Sequence, residues 1–138
     1  AEVGKGDGTG FIAPPGNGSI FQGNNSSSWA TTSDIRIKKN IVNNDVGLEK
    51  INQIQVKNFE YKTAEEITEL PTHTAIKKEG LQLGVIAQEV EDILPDIVKT
   101  EDTGCKTVNP DNMTWYLVNA VKELSTKIEE LENKLENR

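Results

Sequence analysis

The stretch NPDNMTWYLVNAVKELSTKIEELENKLENR, residues 109–138, decides most of what this chain can fold into. Asn109 supplies a capping side chain, and Pro110 takes the first helical position, where its missing N–H costs nothing. Beyond them Leu117, Val121, Leu124, Ile128, Leu131 and Leu135 recur at alternating spacings of four and three. That period predicts a helix over about 110–138, with Val121, Ile128 and Leu135 at heptad position a and Leu117, Leu124 and Leu131 at d. Lys127 at g and the following Glu132 at e suit pairing between parallel helices, while Glu123–Lys127 and Glu130–Lys134 support a single helix. The seam runs for about two and a half heptads, and β-branched a with Leu at d favours two strands in isolated parallel coils. The stripe packs either on its own domain or on further copies of the chain. From Ser125 onward every face but the stripe is charged, which favours self-association.

Upstream, the pattern breaks into short elements. Ile35-Arg36-Ile37 alternates apolar and charged residues and predicts a strand, continued or ended by Ile41-Val42. Asn44 or Asp45 caps a short helix with Leu48, Ile51 and Ile54 on one face, although Gly47 weakens it. Residues 56–61 read as a strand, with Phe59 and Tyr61 on one side. The polar stretch 62–80, with Pro71 and the turn signal Lys77-Lys78-Glu79-Gly80, reads as a projecting loop or extended hairpin. Leu81-Gln82-Leu83-Gly84 is a short strand running into a helix, where Ile86, Val90, Ile93 and Leu94 fall at helical spacing until Pro95 stops it. Ile97-Val98 and 106–108 form a hairpin around Asp102-Thr103-Gly104. The fold class is α+β: a small mixed domain of short strands and a projecting loop or hairpin, with a C-terminal helix that forms a helical bundle or coiled coil.

Composition sets the outer limits. The 138 residues are 35% hydrophobic and 5% aromatic, too lean to pack as one ordinary globular core. A net charge of -7, of which residues 33–138 carry -6, argues against non-specific nucleic-acid binding, which needs cations against phosphate. No apolar run approaches the ~18 residues of a membrane span, and no secretory signal opens the chain. The single Cys105 excludes an intramolecular disulfide or cysteine zinc site, and the single His73 leaves little for a histidine metal site or triad. No metal or cofactor is expected. His73 reads as a surface loop residue and Cys105 as a half-buried strand residue without a basic partner other than Lys106. Residues 1–32 hold seven of the eleven glycines, Pro14, Pro15 and the run Asn24-Asn25-Ser26-Ser27-Ser28, with Phe11, Ile12, Ile20, Phe21 and Trp29 as the apolar anchors. This segment is either a flexible linker or the end of an extended protein ordered against identical neighbours.

The motif Ser33-Asp34-Ile35-Arg36-Ile37-Lys38-Lys39-Asn40-Ile41 resembles the opening of the self-cleaving intramolecular chaperone domains of phage tailspikes and tail fibres. Three further landmarks follow in the family's order: Phe59-Glu60-Tyr61; Gly84-Val85-Ile86-Ala87-Gln88-Glu89-Val90 with Pro95 behind it; and the helix from Trp115 to Leu124. The resemblance covers residues 33–138 and implies a domain that brings three chains into register, assists folding of the fibre upstream and releases itself through a serine–lysine dyad. Mapped here, it places the scissile bond at Thr32–Ser33, makes 1–32 the C-terminal end of the upstream fibre, and names Ser33 as nucleophile and Lys38 as base. The implied partners are a homotrimer and the upstream segment of the same chain, with no nucleic acid and no membrane. Assembly is implied in the host cytoplasm, the mature fibre in the virion tail, with the chaperone released. The competing class is a non-cleaving trimerisation and receptor-facing tip.

The chemistry follows from the residue types. A serine hydroxyl is a weak nucleophile until a base takes its proton, and a lysine does so near neutral pH when burial or a cationic neighbour lowers its pKa from ~10.4. Lys39 and Arg36 are candidate sources of that field, and Lys39 is the alternative base. Asp34, Arg36 and Asn40 are candidate supporting residues, the last two for the oxyanion with backbone N–H groups. Gln88 and Glu89 either cap their helix or touch the cleavage region. Positions five apart point to opposite faces of a strand and lie about 140° apart on a helix. Ser33 and Lys38 therefore meet only across a turn or bulge, or between chains. The seam residues Leu117, Val121, Leu124, Ile128, Leu131 and Leu135 form the expected trimer interface.

Overall fold

The computed structural model of the chain describes residues 31–138. These belong to two units, one ending at Val42 and the other spanning Asn43–Arg138. In the larger unit, order is built on the terminal helix, α3, at Pro110–Glu136. Asn109 caps it as its sequence predicts, accepting the Asp111 backbone N–H at 3.0 Å. The Asn109 N–H itself donates to the Ile97 carbonyl at 2.7 Å, which ties the helix start to the core.

That core is small. Val90 on α2 (Ala87–Ile93), Leu94 and Ile97 are fully buried, and Val46, Ile54, Val85, Val98, Val108 and Met113 pack around them. Each such aliphatic contributes about 1.5–3 kcal/mol on leaving water. Pro95 ends α2 and starts a 3-10 turn, Pro95–Ile97, whose Asp96 carboxylate accepts the Tyr116 hydroxyl from α3. That hydrogen bond, and then burial, push the Tyr116 phenol up to about 12.

Two antiparallel hairpins flank the core. β1 (Lys57–Phe59) pairs with β2 (Gln82–Gly84) in the register Lys57↔Gly84, Asn58↔Leu83 and Phe59↔Gln82. The Phe59 ring lies over Gly84, where an added Cβ would stand 3.2 Å from it, and meets Tyr61 edge-on with centroids 5.2 Å apart. β3 (Val98–Thr100) pairs with β4 (Lys106–Val108) around a turn in which Gly104 takes φ 86°. The stretch between β1 and β2 is an extended hairpin connection, as expected, but it carries two 3-10 turns, Ala64–Glu66 and Thr72–Thr74. The strands are shorter than their sequence patterns: Val56 and Tyr61 lie outside β1, and Ile97 ends the 3-10 turn instead of opening the hairpin.

The docking of α1 (Leu48–Ile51) on α3 depends on close contact. Gly47 is buried, and a Cβ there would lie 2.8 Å from the Ala120 backbone nitrogen and 2.9 Å from the Asn119 Cβ. Ala120 is itself buried, so the chain crosses the helix glycine on alanine. Gly47, not Asn44 or Asp45, is the N-cap of α1. Asn44 instead turns the chain ahead of it by accepting the Val46 N–H at 3.0 Å. From Leu124 to the chain end every residue of the helix is exposed, and the seam positions from Leu117 to Leu135 are 45–65% exposed.

In the smaller unit the predicted strand at 35–37 is overturned. Ile35–Ile37 is a 3-10 turn, because Asp34 caps it and holds Arg36 locally in place of a ladder partner. Ile41 and Val42 are exposed and belong to no strand.

Replacing Gly47 by Ala is expected to lower the unfolding free energy by about 1–3 kcal/mol. Chemical denaturation followed by circular dichroism measures it, and an unchanged midpoint would remove the close-contact account.

Candidate active site

The segment from Ser33 to Asn40 folds around one carboxylate. Asp34 Oδ1 accepts the Arg36 backbone N–H at 2.8 Å, which starts the 3-10 turn. The Arg36 side chain then folds back on the same carboxylate, with Nε 3.0 Å from Oδ1 and Nη2 2.7 Å from Oδ2. Backbone bonds from Ile37 N–H to the Asp34 carbonyl (3.3 Å) and from Lys38 N–H to the Ile35 carbonyl (3.1 Å) complete it. Lys38 leaves in extended conformation. Asn40 follows at φ 54°, a left-handed conformation that asparagine tolerates better than most side chains.

This turn brings the sequence-predicted pair together within one chain. Lys38 Nζ donates to Ser33 Oγ at 2.7 Å, between side chains five residues apart that neither a strand nor a helix would join. Both residues are exposed, as are Thr32 and Lys39. With the lysine as ammonium the contact runs from nitrogen to oxygen. After loss of one proton the same contact can carry the hydroxyl proton to nitrogen, as nucleophile activation requires.

Arg36 and Asp34, two of the candidate supporting residues, are bonded to each other. The guanidinium spends Nε and Nη2 on Asp34, so its charge is compensated inside the turn and it shapes the backbone. The paired guanidinium, with the Arg36 backbone N–H, holds the Asp34 carboxyl below its usual range, and Asp34 in turn raises Arg36. Gln88 and Glu89 lie on the first turn of α2, where Glu89 pairs with Lys57 across to β1. Cys105 is half-buried at the end of the turn before β4 and not within a strand, and His73 is exposed in a 3-10 turn. The sequence reasoning missed the Asp34–Arg36 fork. Its signal is an Asp two residues before an Arg at a chain turn, a pattern too common to single out without coordinates. Among the described residues no cluster of His, Cys, Asp and Glu is placed to hold a metal ion, and no helix is long and apolar enough to cross a membrane.

A family match found by comparison with known proteins includes this segment. Residues 33–99 match the model of a peptidase family described as chaperone of endosialidase. The chain is also 38% identical over 107 residues to the long tail fiber protein Gp37 of Enterobacteria phage K3, and equally to that of Enterobacteria phage T2. Each alignment takes in 75% of this chain but only 8% and 7% of the respective relatives' length.

Because Asp34 is held below its ordinary value, its contribution to the turn is complete above the unfolded-chain carboxyl pKa and is lost as pH falls through the lowered one. Carbon-detected NMR titration is expected to find Asp34 below the usual aspartate range, and Arg36→Ala to move it back up. A titration unaffected by Arg36→Ala would refute the fork as its cause.

Proposed function

We propose, from the match of residues 33–99 to the chaperone-of-endosialidase family, that the chain trimerises and assists assembly of a phage tail fibre, then releases itself by cutting Thr32–Ser33. The observation that carries the self-cleavage is the 2.7 Å contact between Lys38 Nζ and Ser33 Oγ. In its amine form Lys38 takes the hydroxyl proton while Ser33 Oγ attacks the Thr32 carbonyl carbon. The tetrahedral oxyanion collapses, the C–N bond breaks, and Lys38 returns the proton to the departing Ser33 nitrogen. The product is an ester between Thr32 and the Ser33 side chain. Water then cleaves that ester, leaving a carboxylate on Thr32 and a free amine and hydroxyl on Ser33. Each chain reacts once.

Trimerisation supplies what the single chain lacks. Neutral amine is favoured by removal from water, and both dyad residues are solvent-exposed until further chains cover them. The helix seam supports the association itself. In the first half of α3, Trp115 and Val118 are exposed beside Leu117, Val121 and Leu124, so the apolar surface is wider than an a/d stripe. A surface of that width suits a helix that meets two neighbours instead of one. The upstream fibre segment, residues 1–32, lies mostly outside the described residues and is the proposed client, folded in the host cytoplasm and kept in the virion tail.

Intact mass and N-terminal sequencing of the expressed chain test the cut. A new N-terminus at Ser33 is expected, absent in Ser33→Ala and about 10²- to 10⁴-fold slower to appear in Lys38→Ala. A chain that trimerises and stays whole would instead favour a non-cleaving, receptor-facing tip. For the assembly, Leu124→Asp with Ile128→Asp is expected to convert the trimer to monomer by light scattering, and a persisting trimer would remove the seam from the interface.

A further inference from the structure

Between Ser33 and Lys38 the chain curves on polar contacts. Five residues in extended conformation span up to about 17 Å, more than a serine and a lysine side chain cover together. Asp34 draws that span in with both of its acceptor groups. Its carboxylate takes the Arg36 backbone N–H at 2.8 Å and the guanidinium nitrogens Nε and Nη2, and its carbonyl takes the Ile37 N–H at 3.3 Å. The Lys38 N–H closes on the Ile35 carbonyl at 3.1 Å, and the lysine side chain then reaches Ser33 Oγ at 2.7 Å. No residue of the Ile35–Ile37 turn is buried among the described residues, so hydrogen bonds and the ion pair set its shape in place of packing. Every one of these bonds lies within a single chain, and all the residues that make them belong to the unit ending at Val42.

We propose that Asp34 and Arg36 are positioning residues for self-cleavage that act chain by chain: the fork between them holds Ser33 Oγ and Lys38 Nζ of the same chain at bonding distance, so each protomer cuts with its own dyad. The inference rests on the self-cleaving reading above and adds a division of labour to it. In that reading association removes water from the dyad, whereas the fork supplies its geometry before a second chain arrives. Asp34 adjoins the nucleophile and Arg36 lies two residues before the base, so the backbone they fix carries both reacting groups. A bidentate fork sets direction as well as distance. Without it the turn rests on two backbone bonds of 3.1 and 3.3 Å between exposed residues, for which water competes. Misplacing reacting groups by about 1 Å is worth roughly 10²-fold in rate. An exposed pair of this kind adds little to stability, so its loss is read in the rate of cleavage and not in assembly. Among the described residues, the two side chains bond to each other and not to the reacting atoms.

The full chain, synthesised in a cell-free extract, provides the test, with cleavage timed on denaturing gels and trimer followed on native gels. Asp34→Ala removes the fork and the cap together, and Arg36→Ala removes the guanidinium while keeping the backbone N–H. Both are expected to trimerise yet cleave about 10- to 100-fold more slowly than the unmodified chain. Asp34→Asn, which keeps an oxygen for the Arg36 N–H, is expected to recover part of that loss. Arg36→Lys, which keeps the charge without the fork, is expected to stay slow. Lys99→Ala, which breaks an ion pair of similar exposure on β3, is the control and is expected to cleave at the unmodified rate. Co-synthesis of Arg36→Ala with an unmodified chain carrying a C-terminal tag separates positioning from assembly. In mixed trimers the unmodified chain is expected to cut at its own rate while the Arg36→Ala chain beside it stays slow. Trimers of Asp34→Ala or Arg36→Ala that cleave at the unmodified rate would overturn the proposal, as would full recovery by Arg36→Lys or equal slowing by Lys99→Ala. Rescue of the Arg36→Ala chain by its neighbours, or equal slowing of both chains in mixed trimers, would overturn it too. Loss of the trimer in every variant at the two positions would assign them to assembly with the same effect. An unmodified chain that trimerises without cleaving would bring down the self-cleaving reading itself, and this inference with it.

Discussion

The close crossing of Gly47 over α3 is the contact on which the rest of the larger unit depends. A domain with so few buried aliphatics cannot hold a short helix such as α1 by burial alone, because four helical residues gain too little to offset their ordering. The glycine lets main chain lie on main chain, and the flanking Asn119 and Glu123 satisfy backbone groups that the crossing would otherwise leave unpaired. With the 43–48 segment fixed there, Val46 and Ile54 join the cluster around Val90, Leu94 and Ile97. Tyr116 and the Asn109 N–H close the same helix onto the Pro95–Ile97 turn from its other end.

A second economy appears at the candidate active site. Its turn is built from neighbouring residues: one carboxylate, one guanidinium and two backbone hydrogen bonds. Ion pairing this exposed adds little to stability, since water and salt screen it. Its value is geometric, because a bidentate fork fixes direction as well as distance. By curling the chain between Ser33 and Lys38 it converts a spacing that suits neither regular structure into a 2.7 Å contact.

The match of residues 33–99 to the chaperone-of-endosialidase family gives the exposed apolar surface a reading. Ile35 and Ile37 stand more than two-thirds exposed, and the α3 seam is bare along its length. Patches of this kind on a chain that must stay dispersed are costly unless other chains cover them.

The sequence by itself determined the terminal helix, its cap and its seam, because a 3.5-residue period and an Asn-Pro start are local facts. It also determined the order of short strands and helices, the stop at Pro95, and the pairing of Ser33 with Lys38 as candidate nucleophile and base through the resemblance of its motif. It misplaced Ile35-Arg36-Ile37 as a strand, since alternation describes side-chain order and is silent on whether a partner strand exists. It gave the α1 cap to Asn44 or Asp45, since capping propensity carries no knowledge of a helix about 70 residues away. Only the tertiary structure decided those points, along with the use of Gly47 as a crossing point and the division of α3 into a gripping face and an open one. The physical reason is that each depends on atoms distant in the chain: the Ala120 nitrogen that excludes a Cβ, the Asn119 amide that reaches two carbonyls, and the missing neighbour that would have made a strand.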